Sequence, residues 1–197
     1  MQIRIQTNFP DVQRQLEALR KDIAEKALRS AVNKTISQAQ TQMIRGITSE
    51  FNIRTSKVRE KLYVRRAYAA AGRYGIAAVL GSTTPTRGKG KAINVIEFLK
   101  GQAGRPRKGK RPELRFKIKK QGAAKTITGS FVGNKGRTVF ARVGLGRLQI
   151  KPVSTVGVGE MFVTKRINDK VIAFIHSKFV ELFDHDVAYF TQRFGRG

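Results

Sequence analysis

Residues 160–194 have the sequence EMFVTKRINDKVIAFIHSKFVELFDHDVAYFTQRF, and this stretch decides the fold class. Apolar residues recur in it every three or four positions, which places them on one broad face of a helix. These residues are Ile167, Val171, Phe174, Ile175, Phe179, Leu182, Phe183, Val187 and Phe190. The pattern predicts a long C-terminal helix from Glu160 to about Phe194 that packs one side against a core.

A second long helical pattern lies near the N-terminus, after a short strand predicted at Ile3 and Ile5. Pro10 suits the first turn of a helix, and apolar residues then follow at intervals of three to five. They are Val12, Leu16, Leu19, Ile23, Ala27, Ala31, Ile36, Ala39, Met43 and Ile47. We expect a helix over residues 11–45, with Gly46 weakening its end.

The region between the long helices is predicted to contain one short helix and several strands. The short helix begins after Thr55 or Ser56 and carries Val58, Leu62 and Tyr63. Strands are expected at 74–80, 114–118, 126–132 and 138–143, while 93–99 fits either a strand or a short helix. Residues 133–136 (GNKG) have turn chemistry suited to a hairpin, and residues 152–159 are expected to form an extended loop.

These elements predict an α+β fold in which a long N-terminal helix and a long C-terminal helix pack on an antiparallel sheet. A length of 197 residues suits one domain. We therefore expect a single α+β domain over 1–197, with residues 101–112 forming a mobile basic loop within it.

Positive charge dominates the composition, with a formal net charge of +27. Residues 87–120 contain thirteen Lys and Arg but only Glu97 and Glu113 as acidic residues. Charge at this density opposes compaction unless a polyanion or an acidic partner lies against it. The sequence therefore indicates a binding surface before it indicates any chemistry.

The predicted nucleic-acid-binding residues are basic residues in and near the loop at 101–112. They are Lys89, Lys91, Arg105, Arg107, Lys108, Lys110 and Arg111. Such residues bind phosphates regardless of base sequence. An acidic protein surface would satisfy the same charges, and a solvated loop that only aids solubility is the third interpretation. No aromatic residue lies in the loop, which argues against base stacking on single strands.

Catalytic and cofactor chemistry finds little support in the sequence. There is no cysteine, and neither of the two histidines has an evident catalytic partner. His185 lies between Asp184 and Asp186, but adjacent helical residues point in different directions, so we interpret this group as a solvated acidic face. The GKGK sequence at 88–91 lacks the spacing of a P-loop. We predict no catalytic residues, no metal site and no cofactor.

No apolar run approaches the ~20 residues needed to cross a bilayer, and residues 1–10 lack the apolar segment of a signal peptide. We therefore expect synthesis in a reducing cytosol and no association with a membrane.

Several short segments resemble the prophage minor tail protein Z family, the lambda-type tail completion proteins. They are 31–35 (AVNKT), 57–62 (KVREKL), 129–132 (GSFV) and 150–153 (IKPV), the last leading through Met161 into the terminal helix. Their order is similar to that of the family over about 11–190. Residues 155–161 (TVGVGEM) keep the methionine of the family's turn before the last helix but lack its prolines and glutamine.

The resemblance implies a structural virion protein, without catalytic residues, at the head-proximal end of a long phage tail. Tail terminator and tail tube subunits would be its partners, together with duplex DNA in the tail lumen. A homo-oligomeric ring would give that DNA a basic inner wall. The alternative is a sequence-nonspecific nucleic-acid-binding protein of ribosomal or packaging type, which rests on charge alone. A nuclease is least favoured, since no carboxylates converge in the sequence.

Overall fold

The computed structural model describes residues 2–6, 21–69, 75–83, 92–103, 113–144 and 149–194. The chain divides into two compact units. Unit 1 comprises Met1–Ile44, Leu62–Thr83 and Phe162–Gly197, and unit 2 comprises Arg45–Lys61 and Thr84–Met161. The single domain expected over 1–197 stays a prediction, because a compact unit and an independently folding domain are different properties.

The helices among the described residues are α1 (Lys21–Glu50), α2 (Thr55–Lys61), α3 (Val158–Phe162), α4 (Lys165–Phe194) and a 3₁₀ helix (Val95–Phe98). The strands of unit 1 are β1 (Gln2–Gln6), β2 (Leu62–Ala69) and β3 (Ile76–Ser82). The strands of unit 2 are β4 (Ile93–Asn94), β5 (Leu99–Ala103), β6 (Glu113–Phe116), β7 (Lys125–Thr126), β8 (Ser130–Gly133), β9 (Thr138–Arg142), β10 (Ile150–Pro152) and β11 (Ser154–Thr155).

Unit 1 contains an antiparallel sheet with the strand order β1-β3-β2. The first six residues of the central strand β3 are buried, so both of its faces are covered. Gly81 in β3 is opposite Tyr63 in β2, and a Cβ at Gly81 would lie 2.5 Å from the Tyr63 ring. A side chain at position 81 would therefore force the Tyr63 ring to move.

Helices α1 and α4 bury the apolar faces that the sequence predicts. Ile167, Val171, Ile175, Phe179 and Phe183 of α4 are all buried, at the spacing expected for one helical stripe. The predicted C-terminal helix is confirmed, but its start at Glu160 is wrong.

The start is wrong because two helices occupy the predicted range, α3 and α4. The Thr164 carbonyl accepts hydrogen bonds from the N–H groups of Ile167 (2.9 Å) and Asn168 (3.0 Å), so α4 begins after Thr164. Threonine is a preferred residue at a helix N-cap. The apolar pattern runs through both helices, so it does not reveal the break between α3 and α4.

The end of α1 also differs from its prediction. The helix continues through Gly46 to Glu50, and the Phe51 N–H still donates to the Ile47 carbonyl at 2.8 Å. Burial of Ile47 outweighs the roughly 1 kcal/mol that a helical glycine costs. The predicted start at residue 11 lies outside the described residues.

The second predicted helix is shorter than expected. It ends at Lys61, and Leu62 and Tyr63 begin β2, a strand that the sequence analysis missed. Strand β2 lies at the edge of its sheet and pairs with the buried strand β3, and this pairing determines its extended conformation. The register shifts between Arg65 and Tyr68, and there the Ala67 N–H donates to Asn33 Oδ1 at 2.8 Å.

Unit 2 has three small antiparallel sheets: β5-β6-β7, β8-β9-β10 and the pair β4-β11. They enclose a core of Val95, Leu114, Phe116 and Val139. The antiparallel arrangement was predicted, but four small sheets among the described residues replace the one expected. Most of these strands have five residues or fewer.

Several local predictions in unit 2 need correction. The predicted strand 126–132 is two strands, β7 and β8, with a turn between them. Segment 93–99 is part strand and part 3₁₀ helix, and the loop expected at 152–159 contains β11 and the start of α3. Strands at 114–118 and 138–143 and the turn at 133–136 are confirmed. The α+β fold class with its two long helices is confirmed as well.

Candidate functional site

The positive charge of the chain is concentrated in unit 2. This unit has 24 Lys and Arg against five acidic residues, a net charge of +19. Unit 1, of similar length, has 16 Lys and Arg against eight acidic residues, a net charge of +8. The candidate functional surface is therefore on unit 2.

The predicted nucleic-acid-binding residues belong to two segments of unit 2. Lys89 and Lys91 precede β4 in the sequence, and Arg105, Arg107, Lys108, Lys110 and Arg111 lie between β5 and β6. All seven lie outside the described residues, as does most of the loop expected at 101–112. Their role stays a prediction.

The described part of unit 2 is itself strongly basic at its surface. Fourteen of its Lys and Arg residues are exposed, against two exposed acidic residues, Glu60 and Glu113. Such a surface attracts polyanions and acidic proteins from a distance and binds them in a salt-dependent way.

A concave site of about 720 Å³ lies on this surface and is named here the basic groove. Its lining comprises Asn52, Ile53, Arg54, Lys57, Ile96, Glu97, Leu99, Lys100, Gly136 and Arg137. Four cationic side chains and one carboxylate thus surround three aliphatic residues. The sequence analysis missed this site, because its residues come from three segments spread over 86 positions.

A β-bulge places Lys100 at the basic groove. Leu99 is opposite Phe116 and Gly101 is opposite Arg115, so Lys100 is an extra residue on β5 without a partner on β6. Gly101 has a φ of +138°, a conformation that glycine adopts readily. Bulges change the direction of a side chain and are frequent beside functional sites. The sequence signal available for this bulge was Lys100 followed directly by Gly101.

The turn between β8 and β9 supplies Arg137 and Gly136 to the basic groove. Asn134, Lys135 and Gly136 all have positive φ, at 50°, 52° and 85°. The Arg137 N–H donates to the Asn134 carbonyl at 3.1 Å and closes the turn. The position of Arg137 therefore depends on this backbone conformation.

The charges in the basic groove are only partly compensated. Lys57 forms ion pairs with Glu97 at 3.6 Å and with Glu60 at 3.9 Å. Among the described residues, no carboxylate pairs with Arg54, Lys100 or Arg137. Within the described part of the chain these three cations are unpaired, and they can therefore bind an anionic ligand.

The group at residues 184–186 in unit 1 differs from its prediction. Asp186 is 1% exposed, so the solvated acidic face predicted for it is wrong. Its Oδ1 accepts a hydrogen bond from Lys34 Nζ of α1 at 2.6 Å and lies 3.1 Å from His185 Nδ1. Asp186 lies three residues after Phe183, on the buried stripe of α4, and that spacing was the signal missed.

Burial alone would raise the pKa of Asp186, but hydrogen bonds from Lys34, Ser30 and His185 outweigh it and lower the pKa below its usual value. Asp186 is therefore an ionised partner that joins α1 to α4. Within the described ranges, no cluster of three or more His, Asp and Glu side chains could hold a metal ion. The described helices also include none that is long and apolar enough to span a bilayer.

These features define a class of protein: a basic α+β protein with one strongly cationic unit, in which a partly buried charged pair joins two helices. The sequence profile of the prophage minor tail protein Z family matches residues 11–188, so the chain belongs to this family. It is a minor tail protein of a phage virion and interacts with other components of the tail. No curated protein and no solved structure matches the chain.

Proposed function

We propose that the protein is a tail completion component in the neck, at the head-proximal end of a long phage tail. It acts there by assembly with tail terminator and tail tube subunits, as a structural protein rather than an enzyme. The observation that carries this proposal is the charge of unit 2, +19, in a member of a phage tail family. The DNA end and acidic neighbouring subunits are the anionic surfaces that a tail neck offers.

Unit 1 supplies a different kind of contact surface. Its helix α4 exposes large apolar side chains, namely Ile172, Val180, Tyr189 and Phe194, each 38–44% exposed. Apolar and aromatic residues are typical of the cores of protein–protein interfaces. We propose that α4 contacts neighbouring subunits while unit 2 meets polyanions.

A homo-oligomeric ring is the assembly that fits this charge. Every copy would add +27 to a basic inner wall, in which duplex DNA is the natural counterion. The protein would be made in the host cytoplasm and then join the virion.

The direct test is localisation of the chain in assembled virions by cryo-electron microscopy, with a small tag on the C-terminus. We expect tag density at the head-proximal end of the tail. Density along the tail tube or at the distal tip would contradict the proposal. Particles made without the tag serve as the control for unassigned density.

Five of the seven predicted nucleic-acid-binding residues are tested together by charge reversal to Glu: Arg105, Arg107, Lys108, Lys110 and Arg111. We expect near-wild-type thermal stability, because exposed loop substitutions usually change it by less than about 0.5 kcal/mol. Infectious particle yield should fall. Global unfolding of this variant would show that the segment is not the exposed loop proposed.

The second candidate is a sequence-nonspecific nucleic-acid-binding protein of ribosomal or packaging type, favoured by the net charge of +27. Mass measurement in solution at two salt concentrations, with and without a short duplex, separates the two candidates. A salt-stable ring, or a monomer that joins a ring when tail subunits are added, supports the neck component. A monomer that coats DNA at low salt and releases it at high salt supports the alternative.

A further inference from the structure

We propose that the basic groove is a docking site for an acidic peptide segment with aliphatic side chains, carried by a neighbouring tail subunit. This inference rests on the proposed function, since it names the chemistry of one neighbour. Nucleic acid is the competing ligand for the same charges. The charge, apolar lining and shape of the groove favour the peptide over nucleic acid.

Charge is the first argument. Arg54, Lys100 and Arg137 face the groove without an ion-pair partner among the described residues, while Lys57 is paired with Glu97. An incoming carboxylate can therefore pair with these three cations without displacing any carboxylate among the described residues. Arginine binds carboxylates through two parallel hydrogen bonds, which adds orientation to attraction.

The aliphatic lining is the second argument. Ile53 is buried at the site, and Ile96 and Leu99 are half-buried there. A leucine or isoleucine side chain of a peptide would gain about 25 cal/mol for each Å² of apolar surface that it buries against these residues. A sugar–phosphate backbone has no such side chain. Single-stranded nucleic acid is usually held by aromatic side chains, and none of the ten lining residues is aromatic.

The shape and construction of the site are the third argument. A volume of about 720 Å³ lies within the roughly 300–1,000 Å³ typical of ligand pockets, so the groove suits a short segment of chain. The bulge at Lys100 and the positive-φ turn before Arg137 direct two cations to its sides. A diffuse cationic surface would need neither feature.

The test measures binding of a fluorescein-labelled octapeptide, GDLEDLDG, to the full chain by fluorescence anisotropy at about 0.15 M salt, where the Debye length is about 8 Å. The companion peptide GDSEDSDG has the same charge but serine in place of leucine. We expect saturable binding of the first peptide and affinity about tenfold weaker for the second, the factor that corresponds to about 1.4 kcal/mol of lost apolar burial.

Two double variants with equal charge changes locate the binding. Lys100→Gln with Arg137→Gln removes two cations of the groove, and Lys125→Gln with Lys151→Gln removes two exposed cations of unit 2 that do not line it. Loss of two partly exposed ion pairs should weaken binding about tenfold in the first variant. Binding by the second variant should stay within about twofold of wild type. Thermal unfolding of both variants checks that the fold is intact.

Three outcomes overturn the proposal: no saturable binding by the wild-type chain, equal loss in both variants, or equal affinity for the two peptides. A fourth outcome uses a 12-bp duplex. If the duplex displaces the peptide, and only the Lys100→Gln, Arg137→Gln variant binds the duplex more weakly than wild type does, the groove is assigned to nucleic acid. The tail location of the protein is measured separately in virions. Failure of peptide binding with the tag still at the head-proximal end would reject only the docking proposal.

Discussion

Asp186 shows how one residue can be misjudged from its immediate neighbours. With Asp184 and His185 beside it, the sequence suggests a solvated polar group. The helical period places Asp186 on the same face as Phe179 and Phe183, and there it is buried against Lys34. Removing charge from water is costly, so a buried carboxylate needs the ion pair that the neighbouring helix provides.

We predict that Asp186→Asn lowers the free energy of unfolding by about 1–3 kcal/mol at pH 7, because it removes a charge-assisted hydrogen bond to Lys34. The pKa of Asp186 is lower in the folded chain than the usual value of 3.8. Its stabilising contribution is therefore present above that value and is lost as the pH falls through the folded pKa.

Urea denaturation at pH 7 and at pH 3 tests this prediction. The difference between wild type and Asp186→Asn should be smaller at pH 3. The matched control is Asp184→Asn, an exposed carboxylate on the same helix, which should have an effect below about 0.5 kcal/mol at both values. An equal destabilisation by the two variants would refute the role of burial.

Asn94 is the second residue whose role only contacts reveal. Its Oδ1 accepts from the N–H groups of Ile96 (3.1 Å) and Val139 (2.9 Å), and its Nδ2 donates to the Val139 carbonyl at 3.1 Å. It thus joins the 3₁₀ helix to β9 in the core of unit 2. Val139 is fully buried, so water cannot replace these bonds.

We predict that Asn94→Ala destabilises the protein by about 2–4 kcal/mol, because it removes three hydrogen bonds and leaves the buried N–H of Val139 without its acceptor, while the Val139 carbonyl still accepts from the Val153 N–H. Thermal unfolding followed by circular dichroism measures the change. Gln121→Ala, which truncates an exposed amide of the same unit, is the control and should be nearly neutral. A loss below about 0.5 kcal/mol for Asn94→Ala would mean that the three bonds contribute little.

At the scale of elements, the β8–β9 turn combines correct prediction with local strain. The GNKG sequence correctly indicates a hairpin, and three of its residues have positive φ. Lys135, at φ 52°, has a side chain in a region that favours glycine. Gly136, at φ 85°, has open space around it, so any penalty for a side chain there is conformational.

We predict that Lys135→Gly raises the free energy of unfolding by about 0.5–1 kcal/mol, since glycine removes the left-handed strain. Gly136→Ala should lower it by about 1 kcal/mol. Lys125→Gly is the control, because Lys125 lies in a strand with negative φ and glycine should destabilise it. Chemical denaturation of the three variants gives the signs, and the same sign for Lys135→Gly and Lys125→Gly would contradict the argument.

The elements differ in how far the sequence predicts them. Helices α1 and α4 carry stripes of apolar residues over 30 positions each, which is enough for the period to be unambiguous. Strand β2 is not visible in this way, because its polar and apolar residues do not alternate strictly and its partner is β3. Two-residue strands such as β7 and β11 exist only through their pairing.

At the scale of the whole molecule, charge is divided unequally between the two units. The contrast of +19 against +8 predicts that polyanions bind to unit 2. The composition gives only the total net charge of +27. The division of that charge requires the structure, because unit 2 is assembled from two separate parts of the chain.

Two sets of four exposed cations test this prediction. Set A reverses Lys119, Lys120, Lys125 and Lys151 of unit 2 to Glu, and set B reverses Arg4, Arg66, Lys165 and Lys170 of unit 1. Binding of a 20-bp duplex is measured as log K against log salt. The slope should become shallower by about 0.9 for each phosphate that the variant no longer neutralises. We expect this change for set A and little change for set B, and the reverse result would place polyanion binding on unit 1.

The sequence by itself determined the α+β class, the two long helices, the hairpin turn and the overall basic charge. These properties depend on residues close together in the chain or on composition, so local periodicity and charge are sufficient to predict them. Only the tertiary structure decided the ion pair of Asp186 with Lys34, the strand β2 and the basic groove. Each of these depends on residues far apart in sequence, which come together only when packing brings separate segments into contact.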